Sequence, residues 1–435
     1  MADTRDFSDF ETVRQVSHLI DNKKDQIIRF CQELIQIPSV TGHEGPVQEF
    51  IAKYLRKLGL KLDIWEPDLA QIKTHPAYDD DGLDYTGRPN VVAICRDKGG
   101  GRSLLLNAHS DVVTPGPLEK WTRDPWGGEI TEGKIWGRGA LDDKCGTTSI
   151  IKALETVLEL GINLAGDVIL ELVVGEEWPS NGNGTLASTL RGYTADGAII
   201  VESTGCRLML AHRGNLFWRV VIKTKGGHAG DKYKGVSAVE KAIVVFNALV
   251  ALEQERNRRL CNSLYEHYPL KTPICIGKFH GGELIAGLPE TCVLEGDIEF
   301  LPGEKPEDVK VEFENTIAKC ADSDWWLKRN PPCVQWLGVA LEPAEISGDH
   351  PLVTSMERSY QSVVGKYPEK IGAEYGCDMR LKVLYGKTPS LIFGPGGSGA
   401  HTVNECVSIE DLILVTKVLA MSIVEWCGRS REIET

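Results

Sequence analysis

The chain lacks any CxxC pair, any apolar run long enough to cross a bilayer and any excess of basic residues. Its twelve cysteines, Cys31 to Cys427, are scattered, so their spacing writes neither a disulfide framework nor a thiolate zinc site. Reduced thiols in a cytoplasm are the expectation. The most apolar helical stretch, Ala242–Leu252, is broken by Asn247 and is too short to span a membrane. The first ten residues, Met1–Phe10, are polar and acidic, without the basic start and apolar run of a signal peptide. A net charge of −14 argues against nucleic acid or an anionic membrane as partner, since both select basic patches. What remains is ordinary for a globular chain with a sizeable core: 435 residues, 42% hydrophobic and 25% charged.

Residue patterning predicts an α/β fold. Apolar residues recur at helical spacing through Val13–Leu34 and again over Gly45–Leu58. Asp63–Arg88 is polar and irregular. Short apolar runs bounded by turn residues, Asn90–Arg96, Ser103–Asn107, Val168–Val174 and Ala198–Val201, read as buried strands. A Gly- and Trp-rich loop, Thr114–Gly139, leads into a helix from about Lys144 to Leu160. Such alternation gives a central sheet with helices on its faces. From about Gly214 the order becomes β-α-β-β-α-β, the ferredoxin-like pattern. The expected organisation is a catalytic domain in two parts, 1–213 and 341–435, with an inserted domain at 214–340.

The chemistry-bearing residues stand at the ends of buried strands. His109 and Asp111 form an H-x-D pair after one strand, and Glu176 and Glu177 follow a second. Glu202 follows a third, and His401 comes after a Gly-Pro-Gly-Gly loop beyond the strand Ser390–Gly394. Asp142 and Asp143 begin the helix after the Trp-Gly-Arg-Gly loop. Taken singly these are ordinary features: an H-x-D loop bond, a solvated acidic turn, a helix N-cap. Together they converge where open α/β sheets bind ligands, beyond the carboxyl ends of the strands. Imidazole nitrogens and carboxylate oxygens are zinc ligands. Two metals about 3.5–4 Å apart need a carboxylate to bridge them. Two histidines, a bridging aspartate and two further carboxylates suit such a pair, and Glu176–Glu177 can supply one ligand and one free base.

At this point the chain resembles the M20 metallopeptidase family of deacylases and peptidases. The resemblance covers nearly the whole chain. It rests on Ile37-Pro38-Ser39-Val40-Thr41-Gly42, Asn107-Ala108-His109-Ser110-Asp111, Gly137 through Lys144, Gly175-Glu176-Glu177, Val201-Glu202-Ser203-Thr204, Gly226-Gly227-His228-Ala229-Gly230 and Gly394-Pro395-Gly396 leading to Ala400-His401. It implies that His109 and Glu202 ligate one divalent ion, Glu177 and His401 another, and that Asp142 bridges both. Zn²⁺ is the first expectation, and Co²⁺ or Mn²⁺ suits the same donors. It implies further that Glu176 is general base and acid, and that Asp111 holds the far nitrogen of His109. His228, in the insertion, would stabilise the oxyanion in the neighbouring subunit of a homodimer. Arg138 and Lys144 are left as solvated loop and helix residues.

Two departures bear on the substrate, a small N-acylated molecule. Ala286 stands where the family commonly has Asn, and Glu299 where it often has an Arg that pairs with a substrate carboxylate. Glu299 suits a neutral or cationic group. Arg380, in Gly376-Cys377-Asp378-Met379-Arg380, resembles a family arginine that contacts substrate; the alternative is an ion pair with a nearby acid. The leading expectation is an acetylornithine deacetylase-like enzyme that removes an acetyl, formyl or similar group. The alternatives are a formylaminopyrimidine deformylase-like enzyme, an M20 dipeptidase or carboxypeptidase, and a non-catalytic binding member of the fold.

Overall fold

The computed structural model describes residues 10–96 and 99–430. The N-terminal stretch read for a targeting segment lies, up to residue 9, outside the described residues. Two compact units emerge. The first takes the described residues of Met1–Ala211, Glu345–Ala373 and Cys377–Thr435, and the second takes His212–Ala344 with Glu374–Gly376. Among the described residues no helix is long and apolar enough to cross a membrane.

The first unit is built on a nine-stranded mixed sheet. Its order is Lys61–Trp65, Asn90–Cys95, Val168–Val173, Leu104–His109, Gly197–Ile200, Ser390–Ile392, Leu208–His212 and Ala344–Glu345, with Lys370–Ala373 also paired to Leu208–His212. The four central strands, Val168–Val173 through Ser390–Ile392, run parallel. They are buried on both faces, which is why they read as continuous apolar runs. Parallel strands put all their carboxyl ends on one edge of the sheet, and that edge carries the site.

Helices cover the sheet. Lys144–Glu159 starts at Asp143, whose carboxylate accepts the Gly146 N–H at 3.1 Å. Ile409–Cys427 starts at Ser408, whose hydroxyl accepts from Asp411, and it is apolar nearly all round because it is buried nearly all round. The N-terminal helical stretch differs from expectation: it is two helices, Phe10–Asn22 and Lys24–Ile35, jointed at Lys23. Between the buried Ile20 and Ile27 all six residues are polar, so no apolar contact holds the joint straight. The segment read as irregular contains the edge strand Lys61–Trp65, whose residues pair antiparallel with Asn90–Cys95.

A fully buried ion pair sits beneath the site. Lys382 Nζ donates to Glu171 Oε1 at 2.6 Å, and neither side chain has any exposure. Glu171 also accepts from Asn107 Nδ2 at 2.6 Å and from the Ser188 hydroxyl. Removing the cation strands a carboxylate where water cannot reach it. Lys382→Met is therefore expected to lower the free energy of unfolding by about 3–5 kcal/mol in urea titrations. A loss below about 1 kcal/mol contradicts the buried-pair account.

The second unit is a four-stranded antiparallel sheet in the order Ile274–Gly281, Thr291–Phe300, Gly214–Lys223, Cys333–Leu341. With the helices Ala238–Arg259 and Pro306–Asp322 it gives the expected ferredoxin-like order. Gly214–Lys223 alternates buried and part-buried positions, as a strand with one face on a core must. Trp218 and Phe313 pack at its centre with ring centroids 5.1 Å apart.

Candidate metal centre

The parallel strands deliver their C-terminal residues to one place. His109 is the last residue of its strand, one turn of pleat further into the sheet than the H-x-D reading put it. Its Nε2 lies 2.9 Å from Asp142 Oδ1 and 3.8 Å from Glu202 Oε1. Asp142 Oδ2 is 3.2 Å from His401 Nε2, and His401 Nε2 is 3.0 Å from Glu177. Two donor groups result: His109, Asp142 and Glu202, and Asp142, Glu177 and His401. Within each, all the offered atoms lie within 4.8 Å of one another. Asp142 belongs to both, one oxygen turned to each histidine.

The donor set fits two divalent cations. Each group offers one imidazole nitrogen with carboxylate oxygens, which suits Zn²⁺ and several other divalent ions. The electrostatics agree. Burial and the Asp142 charge push Glu177 up to about 7. Burial and the same charge push Glu202 well above the usual carboxylate range, and burial does so for Glu176. Hydrogen bonds to Asp142 and Glu177 raise His401 to about 11. Burial opposes a charge on His109, yet bonds to Asp111 and Asp142 outweigh it and hold the imidazole well above its usual range. Burial and mutual repulsion thus raise the proton affinity of Glu176, Glu177 and Glu202, while hydrogen bonds to both histidines outweigh burial at Asp142 and hold it below the usual carboxylate range; divalent cations can relieve such crowded negative charge.

Glu176 stands outside both groups. Its backbone N–H donates to Asp111 Oδ1 at 3.1 Å, and the Glu177 N–H donates to Asp111 Oδ2 at 3.1 Å. Thr41 Oγ1 adds a bond to Oδ2 at 3.0 Å. Asp111 therefore holds two places: its carboxylate pins the Glu176–Glu177 corner and lies 3.7 Å from His109 Nδ1, while its backbone carbonyl is 2.9 Å from the same nitrogen.

The sequence reading of Arg138 and Lys144 is corrected here. Arg138 is buried and donates to Glu405 Oε2 at 2.5 Å. Lys144 is buried, donates to the Ile37 carbonyl at 2.7 Å, and is pushed down to about 7 by burial. Glu405 went unread in the sequence. A single acid four residues after His401 carries no periodic signal. The clue was an arginine between two glycines in a buried loop, where it needs an anionic partner. Gly139, beside it, has φ +80°, and a Cβ there would meet Val112 Cγ1 at 2.5 Å.

Three further residues complete the set the sequence singled out. Arg380 is buried and donates to the Asn181 carbonyl at 2.9 Å, and burial raises the nearby Asp79, and Asp378 to about 6, with the Arg380 charge only partly offsetting it. Glu299, in the second unit, is not an open carboxylate: Arg213 Nη1 donates to it at 2.7 Å, and burial still pushes it up to about 7. His228 lies in the second unit, exposed, its Nδ1 accepting the Gly230 N–H at 3.1 Å.

Residues 105–425 match Peptidase family M20/M25/M40. The chain belongs to this family. This M20 hydrolase is 31% identical to N-formyl-4-amino-5-aminomethyl-2-methylpyrimidine deformylase of Bacillus subtilis (strain 168), over 95% of this chain and 97% of the relative. It is 29% identical to a deformylase of the same name from Halalkalibacterium halodurans, over 94% and 96%. Among solved structures, the di-peptidase Dug1p of Saccharomyces cerevisiae matches with a TM-score of 0.75 at 17% identity, over 96% of this chain and 99% of that one. That last likeness is one of fold. The M20 hydrolase is thus a metal-dependent enzyme, and its relatives favour the deformylase alternative over the acetylornithine deacetylase-like expectation.

Proposed function

We propose that this M20 hydrolase removes a formyl group from the nitrogen of a small heteroaromatic amine. The observation that carries the reading is the likeness to two deformylases over nearly the whole chain. Two features of the chain support a substrate without a carboxylate. Arg213 is committed to Glu299 and to the Leu270 carbonyl, and Arg380 to the Asn181 carbonyl. Neither guanidinium offers the open fork that a carboxylate pairs with. Trp178, next in the chain to Glu177 and 71% exposed, presents an indole on which a flat ring can stack.

In this reading His109, Asp142 and Glu202 hold one divalent ion, and Asp142, Glu177 and His401 the other, with Zn²⁺ the first expectation. When bound, the ions supply Lewis acidity at the formyl oxygen and acidify the attacking water. Glu176 accepts a proton from that water as its oxygen bonds to the formyl carbon. Glu176 then returns the proton to the amine nitrogen as the C–N bond breaks, leaving formate and a free amine. Asp111 keeps the Glu176 backbone fixed during both transfers. His228 donates to the developing oxyanion, reaching from the partner subunit of a homodimer. The direct test is release of formate from the N-formyl aminopyrimidine, with loss of release on chelation and recovery on adding Zn²⁺. Turnover that chelation leaves untouched contradicts the reading.

The dimer is supported by the second unit's surface. Ile243, Phe246 and Val250, exposed at i, i+3 and i+7, share one face of the helix Ala238–Arg259. Phe246 meets the exposed Phe279 of the strand Ile274–Gly281, at a centroid distance of 6.4 Å. That strand is at the sheet's edge, bonded on one side only among the described residues. A second copy can cover both. Phe246→Glu is expected to shift the protein to monomer in light scattering and to lower kcat at least about tenfold, because His228 no longer reaches a partner. A monomeric wild type, or a monomeric variant with full activity, contradicts this.

A further inference from the structure

The loops that carry Asp142 and His401 project from neighbouring strands of a small four-stranded sheet. His401 lies between the paired strands Gly397–Ser398 and Cys406–Ser408. Cys406–Ser408 pairs in turn with Lys134–Trp136, and the chain runs from Trp136 through Arg138 to Asp142. Where the two loops leave the sheet they are joined by one carboxylate. Glu405 Oε1 accepts the Leu141 N–H at 2.8 Å and the Asp142 N–H at 3.0 Å. Its Oε2 accepts Arg138 Nη1 at 2.5 Å and the Gly139 N–H at 3.0 Å. Its carbonyl accepts the Gly137 N–H at 2.9 Å. Arg138 closes the loop by donating Nη2 to the Thr402 carbonyl at 2.9 Å, next in the chain to His401. Both side chains are buried.

So many bonds on one buried carboxylate exceed what a turn needs. The two histidines also differ in support. His109 ends a strand at the centre of the main sheet, whereas His401 is 56% exposed at a hairpin tip with φ +59°. We propose that the Arg138–Glu405 pair is a positioning clamp. It sets the span between Asp142 and His401, and so governs the metal position formed by Asp142, Glu177 and His401 more than the one formed by His109, Asp142 and Glu202. This rests on the two-metal reading above.

The test titrates metal-free protein with Zn²⁺ in a calorimeter and follows Co²⁺ spectra in parallel. Wild type is expected to take two equivalents. Glu405→Gln places an amide where two donors point, and is expected to leave one position near wild-type affinity while weakening the other about 10–100-fold. Arg138→Lys keeps the charge but loses the fork, and is expected to weaken the same position by a smaller factor. Should Glu405→Gln fail to fold, Arg138→Lys alone decides. Two unchanged affinities in the folded variants, or equal weakening of both positions, overturns the clamp. A wild type that binds fewer than two equivalents overturns the two-metal reading itself, and the clamp with it.

Discussion

Replacing Glu176 by glutamine is expected to lower kcat about 10²–10⁴-fold while both metal equivalents stay bound. The expectation follows from position. Glu176 belongs to neither donor group, though its neighbour Glu177 belongs to one. Its backbone is tied to the Asp111 carboxylate, so its place does not depend on its own side-chain charge. Glutamine keeps the size of the side chain and removes its ability to take a proton. Metal analysis beside kinetics separates base from ligand. A fall in kcat with loss of one metal places Glu176 among the ligands and contradicts the assignment. A kcat within about threefold of wild type removes it from the chemistry altogether.

The second large effect is expected at Asp142. Its two oxygens address His109 at 2.9 Å and His401 at 3.2 Å, so one substitution reaches both donor groups. Asp142→Ala is expected to reduce bound metal from two equivalents to one or fewer, and to lower turnover by more than the Glu176 change does. Residues that only surround a ligand typically cost 10–100-fold in metal affinity, so losing a shared ligand is expected to exceed about 100-fold. Two tightly held equivalents in Asp142→Ala contradict the bridging role.

Much of this was legible because the central strands are parallel and buried. A short apolar run that ends in a polar residue marks a carboxyl end, and parallel strands bring such ends together. That logic led to His109, Glu176, Glu177 and Glu202, all of which the structure places along one edge. Asp142 and His401 stand on loops; their places after a Gly-rich loop were legible too, but only motif resemblance assigned them their roles as ligands. The clamp was not legible, since Arg138 and Glu405 are 267 positions apart and neither sits in a periodic pattern. The Lys382–Glu171 pair, 211 positions apart, was hidden for the same reason. Asp111 shows a finer limit. Sequence placed it beside His109, but only geometry shows that its carbonyl shares the His109 ring with the carboxylate, and that the carboxylate also holds the Glu176–Glu177 corner. Glu299 was read as an open acid because its partner Arg213 is 86 positions away.

The most direct test of the proposed activity is a comparison of kcat/KM across substrates with the Zn²⁺-loaded protein. The panel holds N-formyl-4-amino-5-aminomethyl-2-methylpyrimidine, its N-acetyl counterpart, N-acetylornithine, an N-succinyl amino acid and a dipeptide. The account predicts that the N-formyl aminopyrimidine leads every carboxylate-bearing substrate by at least about a hundredfold, because Arg213 and Arg380 are already engaged. A carboxylate-bearing substrate at the head of the panel contradicts it.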